Sequence, residues 1–249
     1  MIEIKIKIIA LFCLVILLLT GCDFTKNKTY FSNEFYYKIL DEENIAIGNL
    51  NSSYSKNYVF VPAYIEAYKV SQIGFSTGLG FGGNGYLTSI FNNGTILERF
   101  YIPNTIETID DRYMYMVNNE FKVFYSGKVI DLGKLTLNKE SKIYVLNEMF
   151  NDFFNVIGNN YKNNLYRANV AYHLNYEIDN PYYYIDYYDY GSKLLFIPPN
   201  PSRNGFIFDG WYKDSECSTK WDFENDIIPY LNENEQFKEI KLYAKWQLG

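Results

Sequence analysis

Short runs of aromatic and β-branched residues recur along the first two-thirds of this chain at near-even spacing. Tyr58-Val59-Phe60-Val61-Pro62 is answered by Arg99-Phe100-Tyr101-Ile102-Pro103, then by Phe121-Lys122-Val123-Phe124-Tyr125 and Lys142-Ile143-Tyr144-Val145. The two prolines stand 41 residues apart, Tyr101 and Val123 stand 22 apart, and Val123 and Tyr144 stand 21 apart. Such a period marks stacked units, none of which buries its apolar face alone. The 41-residue interval equals about two turns of a solenoid built from 20–29-residue repeats. Composition agrees, because 26 Tyr and 19 Phe in 249 residues favour half-buried pleated surfaces. The expected fold is mainly β with few α elements.

The first residues bear on location. Lys5 and Lys7 precede an unbroken apolar run from Ile8 to Leu19, followed by Leu19-Thr20-Gly21-Cys22. This is the layout of a secretory signal, too short to span a bilayer comfortably. Its ending resembles the lipobox of bacterial lipoproteins, in which the cysteine becomes the lipid-modified first residue. The resemblance implies a signal peptide over 1–21, acylation at Cys22, a polar tether over 22–32 and an extracytoplasmic, membrane-anchored protein. Loss of Glu3, Lys5 and Lys7 would leave 21 basic and 28 acidic residues, a net charge of −7. An acidic domain is a poor match for nucleic acid or for direct adhesion to anionic headgroups, so anchoring falls to the acyl chains. Cys217 would be the only cysteine besides Cys22, which excludes an intramolecular disulfide away from the anchor.

The residues after each proline carry a second likeness. VPAYIEAYKVSQIG (61–74) and IPNTIETIDDRYMY (102–115) resemble BspA-like leucine-rich repeats, with Val61, Pro62, Ile65, Tyr68, Val70, Ile73, Gly74 and then Ile102, Pro103, Ile106, Ile109 at matching positions. The likeness implies a short leucine-rich-repeat-like solenoid over residues 33–166. Met114-Tyr115 stands where the family has Ala-Phe, the later units lack the proline, and Gly80 to Gly85 reads as an insertion. Asn147 to Tyr166 is the best helix candidate. Met149, Phe150, Phe153, Phe154 and Ile157 form its apolar stripe, Gly158-Asn159 its stop, and capping of the array its simplest role.

The last third carries the densest motif. Pro201, Arg203, Gly205, Phe206, Phe208, Gly210, Trp211 and Tyr212 are followed by Trp221-Asp222-Phe223 and by Leu242-Tyr243-Ala244-Lys245-Trp246. This pattern resembles the Listeria–Bacteroides repeat, also called the internalin B-repeat, over residues 168–249. The resemblance implies a compact β-grasp-like module with no catalytic residues. The residues themselves read as packing: Phe206 and Phe208 share one face of a strand bounded by Gly205 and Gly210, and Leu242, Ala244 and Trp246 share another. Trp211, Trp221 and Trp246 would supply most of a small core that folds on its own.

Reactive chemistry is thin. His173 is the single histidine and no nucleophile, zinc or phosphate-binding motif accompanies it. Cys217 lies in Asp214-Ser215-Glu216-Cys217, a setting that raises a thiol pKa. Asp186 and Asp189 lack the spacing of a calcium loop. No cofactor or metal is expected. The run Tyr182-Tyr183-Tyr184-Ile185-Asp186-Tyr187-Tyr188 alternates faces in a strand, and an exposed face carrying Tyr183 and Tyr187 would suit a ligand. The expected function is a non-enzymatic, lipid-anchored surface protein mediating adhesion or protein–protein contact. The alternative is a surface lipoprotein that binds carbohydrate through exposed tyrosines. The partner is thus an unidentified protein or a surface glycan.

Overall fold

The computed structural model describes residues 29–32, 34–50, 54–77, 86–87, 97–109, 120–130, 132, 137 and 140–249. The expected signal, Cys22, the glycine-rich run 78–85 and Met114-Tyr115 lie outside the described residues. The first region contains β1 (Thr29–Ser32), β2 (Phe35–Ile39), β3 (Asn44–Leu50), β4 (Tyr58–Phe60), β5 (Tyr64–Ile65) and β6 (Tyr68–Ile73). It continues through β7 (Ser76–Thr77), β8 (Tyr86–Leu87), β9 (Arg99–Ile102), β10 (Thr108–Ile109), β11 (Lys122–Tyr125) and β12 (Lys142–Val145). Helix α1 (Phe150–Val156) and β13 (Leu165–Arg167) follow. The last region is built from β14 (Val170–His173), β15 (Tyr182–Asp186), β16 (Phe206–Tyr212) and β17 (Ile240–Leu248). The protein is mainly β.

The recurring runs form one parallel sheet in the order β13-β12-β11-β9-β4. Its register sets four rungs. Tyr58, Arg99, Lys122 and Lys142 stand abreast, as do Val59, Phe100, Val123, Ile143 and Leu165. Next come Phe60, Tyr101, Phe124, Tyr144 and Tyr166, then Ile102, Tyr125, Val145 and Arg167. β4 lies directly beside β9, so the 41-residue interval is one step of the ladder and not two; β5 to β8 occupy the extra length. Val123 pairs with Phe100 rather than Tyr101, a one-residue difference from the sequence comparison. The difference matters because a one-residue slip exchanges the two faces of a strand.

Alternate rungs face opposite sides. Val59, Phe100, Val123 and Ile143, with Ile102, Tyr125 and Val145, point into a first core. That core is closed by a second sheet, in which β3, β6 and β10 run parallel and align Ile47, Ile73 and Ile109. β1 and β2 extend this sheet antiparallel, so residues 29–32 are an edge strand instead of tether. The helix expected over 147–166 is only seven residues of α-helix, with 3-10 turns at Asn147–Met149 and Asn159–Asn164. It ends before Gly158, and the asparagine-rich stretch beyond it favours turns over helix. Phe153 and Ile157 enter the first core, and the chain then returns to add β13 to the ladder. The helix is a connection within the array, not a cover on its end.

The opposite face of the ladder is not solvent. Tyr101, Phe124 and Tyr144 are buried in a second core together with Tyr172, Tyr184, Ile185, Tyr188, Trp211, Trp221 and Leu242. Their rings stack in a column: Phe60 on Tyr101 at 4.1 Å, Tyr101 on Phe124 at 4.8 Å, Phe124 on Tyr144 at 4.9 Å and Tyr144 on Tyr187 at 5.1 Å between centroids. The last region is a four-stranded sheet, β15-β14-β17-β16, with β14 and β17 parallel at its centre. Its outer strand β15 is buried along its whole length, one side on its own sheet and the other on the ladder. Residues 168–249 therefore share a core with the repeats, in place of the self-contained core expected for them.

This shared core has a measurable consequence. All three tryptophans lie at 211, 221 and 246, so their fluorescence reports the last region alone. Phe124→Ala removes a buried ring from the ladder, a loss of about 3–5 kcal/mol for a core aromatic. The tryptophan-monitored melt should fall with the far-ultraviolet circular dichroism melt in this variant. An unchanged tryptophan transition would mean that the two regions unfold independently.

Candidate binding site

The seam between the two regions is fixed by polar contacts as well as rings. The Tyr184 hydroxyl donates to the Val61 carbonyl at 2.6 Å, and Asn104 Nδ2 donates to the Asn180 carbonyl at 2.6 Å. Asn180 Nδ2 donates in turn to the Ser126 carbonyl at 3.0 Å, while Ser126 Oγ donates to the Tyr183 carbonyl at 2.9 Å. The loops following β4, β9 and β11 thus hold the loop entering β15.

At the centre of the seam Arg99 reaches across to Asp186, with a nitrogen–oxygen distance of 2.5 Å. The Tyr101 hydroxyl donates to the second carboxylate oxygen at 2.9 Å and accepts from Arg99 at 2.7 Å. The Tyr187 backbone N–H adds a third donor to the carboxylate at 2.7 Å. The guanidinium also lies 4.6 Å from the Phe196 ring centroid and 5.0 Å from that of Phe124. Burial pushes the Asp186 carboxyl up to about 6, with Arg99 and the donors pulling against it. These groups satisfy one another. Asp186 is therefore engaged in an internal ion pair and is not free to join Asp189 around a cation. Among the described residues no group of three His, Cys, Asp or Glu side chains is arranged to hold a metal ion.

Beside this network a cleft of about 180 Å³ opens at the seam. Pro62, Tyr64, Asn104 and Thr105 form its wall from the repeat side, and Tyr176, Tyr183 and Ser202 are among those opposite. The lining has no charged side chain. Burial raises the Tyr183 phenol to about 12, and the nearby Tyr176 and Tyr64 phenols add to the rise, which places three phenols close together. Thr105 is only 8% exposed, and among the described residues its Oγ1 meets no hydrogen-bond partner. A buried hydroxyl left so costs about 1–3 kcal/mol.

The tyrosine run is covered on both faces of β15. Tyr183 is buried, with an edge on the cleft, and Tyr187 is half-buried against Tyr144. The exposed face expected from alternation is absent, since Tyr187 stacks on the ladder's Tyr144 and Tyr183 is buried at the edge of the cleft. Tyr64, half-exposed on the cleft, and Thr105 carried no sequence signal, since each acquires its neighbours only through the docking.

The motif residues serve packing. Trp211 is buried edge-on to Tyr172 and Phe208, and Trp221 is buried nearby. Trp246 is half-buried and donates its indole N–H to the Leu174 carbonyl at 2.6 Å. Phe206 lies under Arg203, 3.9 Å from its guanidinium. Leu242 and Ala244 are fully buried, whereas Tyr243 is half-buried beside His173. Gly205 precedes β16 at φ 74°, but Gly210 sits inside the strand at a bulge with φ 145°, where a Cβ would meet Lys220 at 2.5 Å. Tyr212 is buried with its hydroxyl donating to Asp209 at 2.7 Å. His173 is half-buried, and its Nδ1 accepts from the Asn175 N–H at 3.0 Å; burial lowers its pKa. Burial likewise pushes the Cys217 thiol up.

Residues 169–245 match the Listeria-Bacteroides repeat domain family. A Gly-rich membrane protein of Evansella cellulosilytica is 33% identical over 61 residues, which is 24% of this chain and 6% of that protein. Internalin H of Listeria monocytogenes is 33% identical over 58 residues, 23% of this chain and 9% of that protein. The matched stretches thus span less than a tenth of each relative.

The buried pair predicts a pH signature. Asp186 binds its proton more tightly folded, near 6, than unfolded, near 3.8. Its contribution to stability is therefore fully present below about pH 4 and is lost as pH rises through 6. Asp186→Asn cannot titrate, and every other carboxylate is common to both proteins. The stability of the wild type relative to this variant should fall by an amount on the order of 3 kcal/mol between pH 4 and pH 7. Denaturant titrations of the two proteins check this, and a flat or rising difference would contradict it.

Proposed function

We propose that this chain is an extracytoplasmic surface protein, held to the membrane by lipid on Cys22, which works by contact and not by catalysis. The observation that carries the reading is the match of residues 169–245 to the Listeria-Bacteroides repeat domain, beside a 58-residue likeness to an internalin. That likeness supports adhesion or protein–protein interaction at a cell surface. The use of its motif residues for packing is in keeping with a non-enzymatic role. The parallel ladder, with an Ile/Val-Pro turn after β4 and β9, supports the leucine-rich-repeat-like reading of residues 33–166. The parallel central pair β14 and β17 supports the β-grasp-like reading of residues 168–249, although those residues contain no helix. The partner in this reading is a protein on an opposing surface.

Detergent partitioning tests the anchor. The wild-type chain should enter the detergent phase of a cell extract and be degraded by protease added to intact cells. Cys22→Ser should shift it to the aqueous phase or block processing, and should reduce adhesion of the expressing cells. A mature chain whose N-terminus is an unmodified residue other than Cys22 would overturn the assignment.

A further inference from the structure

We propose that the cleft at the seam is a binding site for a single neutral sugar ring, presented by a glycan. This goes beyond contact with a protein partner, and it stands whether or not Cys22 carries lipid. Four observations lead to it.

The first is size. The cleft measures about 180 Å³. An apolar protein cavity of about 150 Å³ accepts benzene, so a space of this size takes one six-membered ring and not an extended oligomer. The second is charge. The lining residues bear no ionisable acid, amine, guanidinium or imidazole, which disfavours phosphate, carboxylate and ammonium groups. The third is the wall chemistry. Tyr64, Tyr176 and Tyr183 bring aromatic rings and phenolic hydroxyls to one small space. Aromatic rings accept the apolar C–H face of a pyranose and lose little entropy in doing so.

The fourth decides between ring types. Asn104, Asn200 and Ser202 line the cleft beside the tyrosines, and Asn200 and Ser202 are exposed to solvent. A proline or phenyl ring of a peptide would fill the volume and displace water from those groups without replacing its hydrogen bonds. A pyranose offers hydroxyls that both donate and accept, and so meets the apolar walls and the polar floor together. The site belongs to neither region alone, since Tyr64 and Thr105 come from the repeats and Tyr176 and Tyr183 from the last region.

The test uses the full chain and calorimetric titration with the methyl glycosides of glucose, galactose, mannose and N-acetylglucosamine, and with a glucuronide. At least one neutral glycoside should bind saturably at one site, with a Kd on the order of 1 mM, and the glucuronide should not. Asn200→Ala, at an exposed position on the cleft, should weaken binding about fivefold with an unchanged melting temperature. Tyr176→Ala should weaken it about tenfold or more. Tyr64→Ala, at a half-exposed position, serves the same purpose if Tyr176→Ala does not fold. Tyr187→Phe, outside the cleft, should leave binding unchanged. Failure of every neutral glycoside to bind would overturn the proposal. So would sugar binding indifferent to Asn200→Ala and to both tyrosine variants, or a cleft that takes a proline-rich peptide and no sugar.

Discussion

The docking of β15 onto the outward rungs of the parallel ladder is the contact on which the rest of the structure depends. A parallel ladder of short strands places every second residue of each strand on its far side, and here that side is a column of aromatic rings. Left in water it would be an extended apolar stripe, an aggregation hazard of the kind soluble surfaces avoid. Each stacked pair contributes about 0.5–1.5 kcal/mol beyond the area it buries. The column therefore favours a covering element that is itself aromatic, and the tyrosine run supplies it.

The ion pair of Arg99 with Asp186 specifies this docking more than it strengthens it. Bringing both charges out of water costs several kcal/mol per ion, and the attraction between them roughly offsets that cost only when every remaining donor and acceptor is satisfied. The Tyr101 hydroxyl and the Tyr187 N–H complete the carboxylate, and the aromatic rings of Phe124, Phe196 and Tyr188 enclose the guanidinium. A docking shifted by one strand would set Asp186 opposite Phe60, with Tyr58 in place of Arg99, or opposite Phe124, with Lys122 in place of Arg99 and no hydroxyl in place of that of Tyr101. The pair thus acts as a register pin, a role for which buried polar groups are well attested.

The same docking makes the cleft. Its walls come from the turns that follow Val61-Pro62 and Ile102-Pro103 on one side and from the loops flanking β15 on the other. Proline after each strand ends the ladder pairing and turns the chain outward, which leaves room for the second region's loops to approach without closing on them. The cleft therefore exists only when both regions are in place.

Much was legible in the chain itself. Runs of alternating aromatic and aliphatic residues identified the ladder strands, because side-chain alternation is a property of any extended backbone. The Pro-x-Arg-x-Gly spacing through Trp246 identified the repeat at the C-terminus, because glycine at a positive φ and tryptophan in a small core tolerate few substitutes. The position of Gly158 marked the helix stop, though not how little helix precedes it. What alternation cannot say is what covers each face. Tyr183 and Tyr187 read as an exposed pair, yet Tyr183 is buried and Tyr187 stacks on the ladder's Tyr144. Tyr101, Val123 and Tyr144 read as equivalent positions, yet the ladder sets Tyr101, Phe124 and Tyr144 abreast in a core shared with the last region. Arg99 and Asp186, 87 residues apart, carry no local signal of each other. Local periodicity fixes which residues travel together, while the partner of each face is decided by burial summed over the whole molecule, and only the tertiary structure performs that sum.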